Sequence, residues 1–204
     1  MSEPREGDGD GVSSSSEEGQ HGVSEGRTES FVTRVLQYEW ADTIVTDPPE
    51  TDGISWVPGN VGESCGRIAP NVWSPGRELG FDLYFTHYPT PKLFSRGTFR
   101  FELTIDGVEG EPRTLPDGVD TQRLRQLFAD RVARADPTES TAGSWVESSL
   151  VEDDERLLWK ATYNFSARDE VAYYETLRTA IEDHAWIVPL VADIFHSMAD
   201  DSSV

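Results

Sequence analysis

Residues 81–106 read FDLYFTHYPTPKLFSRGTFRFELTID, and the reading of this stretch decides the fold. Phe81, Leu83 and Phe85 alternate with Asp82, Tyr84 and Thr86. Phe99, Phe101, Leu103 and Ile105 alternate with Arg100, Glu102, Thr104 and Asp106. A period of two marks strands with one buried face and one polar face. Between them, His87 to Gly97 carries Pro89, Pro91 and Gly97 and reads as a long hairpin loop. Asp106–Gly107 is a turn signal, leading into a short third strand near Val108.

Downstream, residues 120–134 predict a helix. Asp120 caps it, and Leu124, Leu127, Phe128 and Val132 recur at helical spacing. The order then repeats. Trp145–Val151 and Leu157–Phe165 read as strands joined by the acidic turn Glu152–Glu155. Ser166 with Asp169 has the pattern of a capping box, ahead of Val171, Tyr174, Leu177 and Ile181 on one helical face. A last helix runs from about Trp186 to Met198, with Pro189 in its first turn. Two strand–strand–helix units in series predict an α+β fold: an antiparallel sheet, helices on one face, and a C-terminal helix pair.

Upstream, Phe31, Val32, Val35, Leu36 and Trp40 form a dense apolar segment. Its period fits a strand or a short helix, and its Val, Thr, Tyr and Trp content favours a strand. Residues 46–53 are a Pro-broken loop, and Ile54–Val57 reads as a short strand. Residues 1–29 are mostly Gly, Ser, Glu and Asp, the composition of a disordered acidic tail, leaving 30–204 as one domain.

Charge narrows the setting. The 204 residues carry 38 acidic against 17 basic side chains, a formal net of −21. The first 30 residues account for eight acidic and two basic of these, so most of the excess sits on the domain. Only Lys92 and Lys160 are lysines; the other 15 basic residues are arginines. Such a surface repels itself until salt screens it. The composition resembles that of proteins from salt-loving archaea, which implies a salt-adapted cytoplasm and no particular activity. No apolar leader and no stretch near the length of a membrane span occurs, so the expectation is a cytoplasmic protein without a membrane.

The layout of residues 71–198 also resembles an uncharacterised accessory domain at the C-terminus of some restriction-nuclease-like proteins. The likeness lies in the FDLYF and FRFELTID strands, the Leu/Phe helix and the SWVES…WKATYNF hairpin. It implies an accessory role in a nucleic-acid-processing system and carries no catalytic residue over.

Chemical motifs are sparse. Gly62-Glu63-Ser64-Cys65-Gly66 matches G-x-S-x-G, but the strand and helix that a nucleophile elbow needs are not legible around it. Cys65 has no local His signature, so a structural cysteine is the better reading. His21, His87, His184 and His196 lack metal-ligand spacing, and no metal or cofactor is expected. Asp82, Glu102 and Lys160 are the least improbable catalytic set, since an Asp, a Glu and a Lys can hold a metal ion and activate water. Arg123, Arg131 and Arg134 share one face of the predicted helix and are candidate binding residues for nucleic acid or an acidic protein. Pairing of these arginines with the chain's own carboxylates is the simpler expectation. The sequence thus points to a non-enzymatic binding module with a protein partner. A hydrolase or nuclease with an acidic metal site and an accessory subunit of a restriction-type system are the rivals.

Overall fold

The computed structural model describes residues 18–49, 51, 53–59, 65–107, 120–135, 147–151 and 156–201. The chain opens with α1 (Glu18–Arg34), a π-helical turn (Val35–Glu39) and α2 (Trp40–Thr46). There follow β1 (Trp56–Pro58), β2 (Gly66–Pro70), a 3₁₀ segment (Asn71–Leu79), β3 (Phe81–His87), α3 (Pro91–Arg96) and β4 (Thr98–Gly107). The second half holds α4 (Thr121–Ala135), β5 (Glu147–Leu150), β6 (Leu157–Asn164), α5 (Glu170–Asp183) and α6 (Ile187–Asp201). The six strands form one sheet in the order β1-β2-β3-β4-β6-β5, every neighbouring pair antiparallel. The α+β class, the two strand–strand–helix units and the C-terminal helix pair are as the periodicity predicts.

The sheet buries one face. Ile68, Leu83, Phe85, Phe99, Phe101, Leu103, Ile105, Ala161 and Tyr163 are all nearly or fully buried. The helices close over this face. Tyr173 of α5 packs edge-on to Phe99 at 5.1 Å, Trp40 of α2 sits 5.0 Å from the His87 ring, and the Trp73 indole donates to the Val188 carbonyl of α6 at 3.0 Å. A register shift between β4 and β6 at Leu103/Thr104 lets consecutive residues Leu158 and Trp159 both be buried. Asp120 caps α4 as expected, accepting from the Arg123 N–H at 2.8 Å.

Four expectations need correction. First, Phe31–Trp40 is helical, not a strand. Phe31, Val32 and Val35 are buried, and so are Trp40, Ala41 and Ile44. Each triplet is spaced i, i+1, i+4, and a step of five separates them. The wider π turn between Val35 and Glu39 absorbs that extra residue and keeps both apolar triplets facing the core. A strand would have turned Phe31 and Val32 to opposite sides. Second, residues 18–29, assigned by composition to a disordered tail, belong to α1, and Thr28 is buried. Helical spacing from Thr28 to Phe31 and Val32 ties this end to the core. Third, the loop expected over His87–Gly97 contains α3. Thr90 accepts from the Leu93 N–H at 3.3 Å, Pro91 takes the first turn, and Gly97 ends the helix at φ 66. Pro at the start and Gly past the end are helix boundaries as well as loop signals. Fourth, Asp169 is itself the N-cap of α5, accepting from Val171 and Ala172 N–H at 3.1 Å, where a Ser166 cap was expected. The strand near Val108, the turn Glu152–Glu155 and most of the G-x-S-x-G stretch lie outside the described residues.

Candidate functional site

Period two places the polar residues of the same strands on the opposite face, which none of the described helices covers, and the antiparallel register arranges them in rows. One row crosses five strands: Arg67 on β2 opposes Thr86, Thr86 opposes Glu102, Glu102 opposes Lys160, and Lys160 opposes Ser149. In a second row Tyr84 opposes Thr104, and in a third Asp82 opposes Asp106. Two carboxylates directly across a strand pair repel each other unless cations intervene.

The cations are present. Arg67 Nη1 lies 2.5 Å from Asp106 Oδ2, and Arg156 Nη2 pairs with Asp106 Oδ1. Arg156 Nε also donates to the Ile105 carbonyl at 3.3 Å. Two rows over, Glu102 accepts from Arg100 Nε at 2.9 Å and from the Tyr88 hydroxyl at 2.6 Å. The Arg100 guanidinium covers the Tyr88 ring at 3.9 Å, and Arg67 lies 5.6 Å from the Tyr84 centroid. Burial, with Glu102 second, pushes the Tyr88 phenol well above its ordinary pKa, so it stays a hydrogen-bond donor. Burial and the neighbouring Arg67 charge pull Arg156 below its ordinary value.

These side chains surround a hollow of about 220 Å³, lined among others by Cys65, Arg67, Thr86, Glu102, Thr104 and Arg156. Its two carboxylates are each bonded to arginine, an arrangement suited to holding a polar group and ill suited to a general base, which needs an available lone pair.

The sequence-derived candidates distribute as follows. Glu102 and Lys160 are direct cross-strand neighbours on the open face. Asp82 shares that face but belongs to the row four residues from Thr86, about 14 Å along the strand, so the three do not converge. Asp82 instead accepts from the Tyr84 hydroxyl at 3.1 Å. Among the described residues, no three His, Cys, Asp or Glu side chains are grouped as a metal site. On α4, Arg131 lies 3.6 Å from Asp193 of α6, while Arg134 is exposed near the helix end. Pairing within the molecule therefore accounts for Arg131. Arg125 satisfies the carbonyls of Leu157 and Val151 at 3.0 and 2.7 Å.

His87 and His184 are fully buried behind the sheet. His184 Nδ1 donates to the Ala180 carbonyl at 2.8 Å, closing the end of α5. His87 Nδ1 lies 2.8 Å from the Tyr173 hydroxyl. Burial lowers the His87 pKa to about 3 and that of His184 to about 4. Gly66, the last glycine of the G-x-S-x-G match, has a packing reason: a Cβ there would strike the His87 ring. Exposed His196 donates Nδ1–H to the Ala192 carbonyl at 2.7 Å.

Sequence reasoning missed Arg67, Asp106 and Arg156. The available signal was the pair of acids, Asp82 and Asp106, on the polar faces of adjacent strands. Only the register shows that they oppose each other and need cations.

The chain matches no protein-family model, no curated protein and no solved structure. The layout resemblance to restriction-nuclease accessory domains accordingly gains no support from them. Among the described residues no helix is long and apolar enough to cross a membrane.

Proposed function

We propose that this protein is a non-enzymatic interaction module that binds another protein through the open face of its sheet. One observation carries the reading: charge is segregated. Residues 65–107 and 156–168, which hold β2, β3, α3, β4 and β6, contain eight basic and four acidic residues. The rest of the chain contains nine basic and 34 acidic. Four of those eight cations, Arg67, Arg100, Arg156 and Lys160, stand on the sheet face, which is thus near neutral in an otherwise anionic protein and repels an anionic partner less than the rest of the surface does. The face also carries Asp82, Glu102 and Asp106 among its cations. Alternating signs match a polypeptide surface better than a uniformly charged phosphate backbone.

The same reading sets the protein in a salt-rich cytoplasm, where the net charge of −21 is screened. Circular dichroism across a KCl dilution series checks this part. Cooperative structure is expected to fail as salt is removed, and a fold indifferent to salt would contradict it.

Capture of the partner at high salt with three baits tests the binding face. The baits are the wild type, a sheet-face variant (Arg100→Glu with Lys160→Glu) and a helix variant (Arg131→Glu with Arg134→Glu). The expected result is a stoichiometric protein retained by the wild type and the helix variant and lost from the sheet-face variant. Equal retention by all three, or loss only from the helix variant, would move the interface off the sheet.

A further inference from the structure

Among the described residues, Arg67 uses few of its hydrogen-bond donors. A guanidinium has five N–H donors in a planar fork. Arg67 Nη1 meets Asp106 Oδ2 as an ion pair without hydrogen-bond geometry, and its guanidinium lies over the Tyr84 ring. Its buried Nε–H meets no acceptor among the described residues. Asp106 in turn divides its two oxygens between Arg67 and Arg156, so one carboxylate serves two guanidinium groups. Both arginines line the same hollow of about 220 Å³, room for a ligand of a few heavy atoms. Two guanidinium groups that share one carboxylate attract a further oxyanion, and the guanidinium fork matches a planar carboxylate better than it matches a spherical halide. Glu102, on the other side of the hollow, is already held by Arg100 and Tyr88, so it is not a competing ligand for Arg67.

We infer that the hollow between Arg67 and Arg156 is a carboxylate-binding subsite, filled in the assembled state by an Asp or Glu side chain of the protein partner. The second half of this inference rests on the binding function proposed above; the first half does not. The hollow is then the anchor of the interface, and the half-exposed Arg100 with exposed Lys160 is its rim. Anchors in pockets carry most of an interface's specificity, while rim charges mainly set encounter rates.

The test uses the full chain in high KCl and potassium succinate as the probe, at constant ionic strength. The readout is the side-chain ¹⁵N–¹H signal of arginine Nε groups, with Arg67 assigned by its loss in Arg67→Lys. Succinate is expected to shift the Arg67 signal saturably, in the low millimolar range, on the order expected for so small a ligand. Arg34, whose Nε already donates to Glu39 at 2.9 Å away from the sheet face, is expected to stay still. Arg156→Gln, on the more exposed of the two guanidiniums, guards against a misfolded Arg67 variant and is expected to weaken succinate about tenfold. No saturable shift at Arg67, or an equal shift at Arg34, overturns the subsite. Saturation by phosphate but not by succinate overturns its carboxylate preference. Saturation by succinate with partner capture unaffected in Arg156→Gln leaves a small-molecule site and overturns the anchor. Succinate binding in a chain that captures no partner supports the subsite and defeats the broader binding function, so the two fail separately.

Discussion

The two faces of the sheet come from the same strands and obey opposite rules. Behind β3 and β4 lie Phe85 and Phe101, stacked at 5.0 Å, together with two histidines kept neutral by burial. In front lie Thr86, Glu102 and Asp106, side chains that alternate with those rings along the chain and are almost as buried. The back face excludes charge. The front face buries charge and neutralises it pairwise, Asp106 against two arginines and Glu102 against a third. Burial alone therefore does not distinguish core from site in this protein; what distinguishes them is that the buried groups in front are charged and paired, while those behind are neutral.

Acid is the largest expected breaker of the back face. The folded-state pKa values of His87 and His184, about 3 and about 4, lie below their ordinary 6.5. Below 6.5 the unfolded chain therefore takes up protons that the folded chain refuses, and stability falls as pH drops. By pH 4 the two together are expected to cost on the order of 5 kcal/mol. Urea midpoints at pH 7, 5.5 and 4.5 in high KCl read this out; a flat series means the histidines are not buried neutral. Next in size, Phe101→Ala opens a cavity at the centre of the back face and is expected to lower the unfolding free energy by about 4 kcal/mol.

The front face yields smaller numbers. Asp106→Asn leaves Arg67 and Arg156 facing each other with the shared charge gone. It is expected to cost about 3 kcal/mol, because both partners of the pair are largely buried. A change under about 1 kcal/mol would mean that the site is solvated and that the contrast between the faces is weaker than drawn. Smallest of all, Lys160→Gln removes an exposed charge opposite Glu102 and is expected to alter stability by less than about 0.5 kcal/mol. Under the proposed function, its effect is expected on partner capture. A large loss of stability from this variant would make Lys160 part of the structural network.

Much of this architecture was readable in advance because β3, β4, α4, α5 and α6 have clean periods of two or 3.6. The errors fell where one residue type serves two purposes. Pro91 and Gly97 bound a short helix and were read as loop breakers. Phe31 to Ile44 has a helical pattern interrupted by one extra residue, so neither period fits until a π turn is allowed. Residues 18–29 have a tail's composition, yet a helix anchored at Phe31 extends through them.

By itself, the sequence determined which residues face the core and which face away, since alternation along a strand is a local property of the backbone. It also determined the acidity of the chain and the scarcity of lysine. Which polar residues meet was decided only by tertiary structure. Asp82 opposes Asp106 and lies far from Glu102, Arg67 reaches Asp106 across β3, and Arg156 arrives from the start of β6. Those meetings depend on strand order and register, and both are set by the helices packed behind the sheet: a register shifted by one residue would exchange the two faces, and the cost of exposing that aromatic core forbids it.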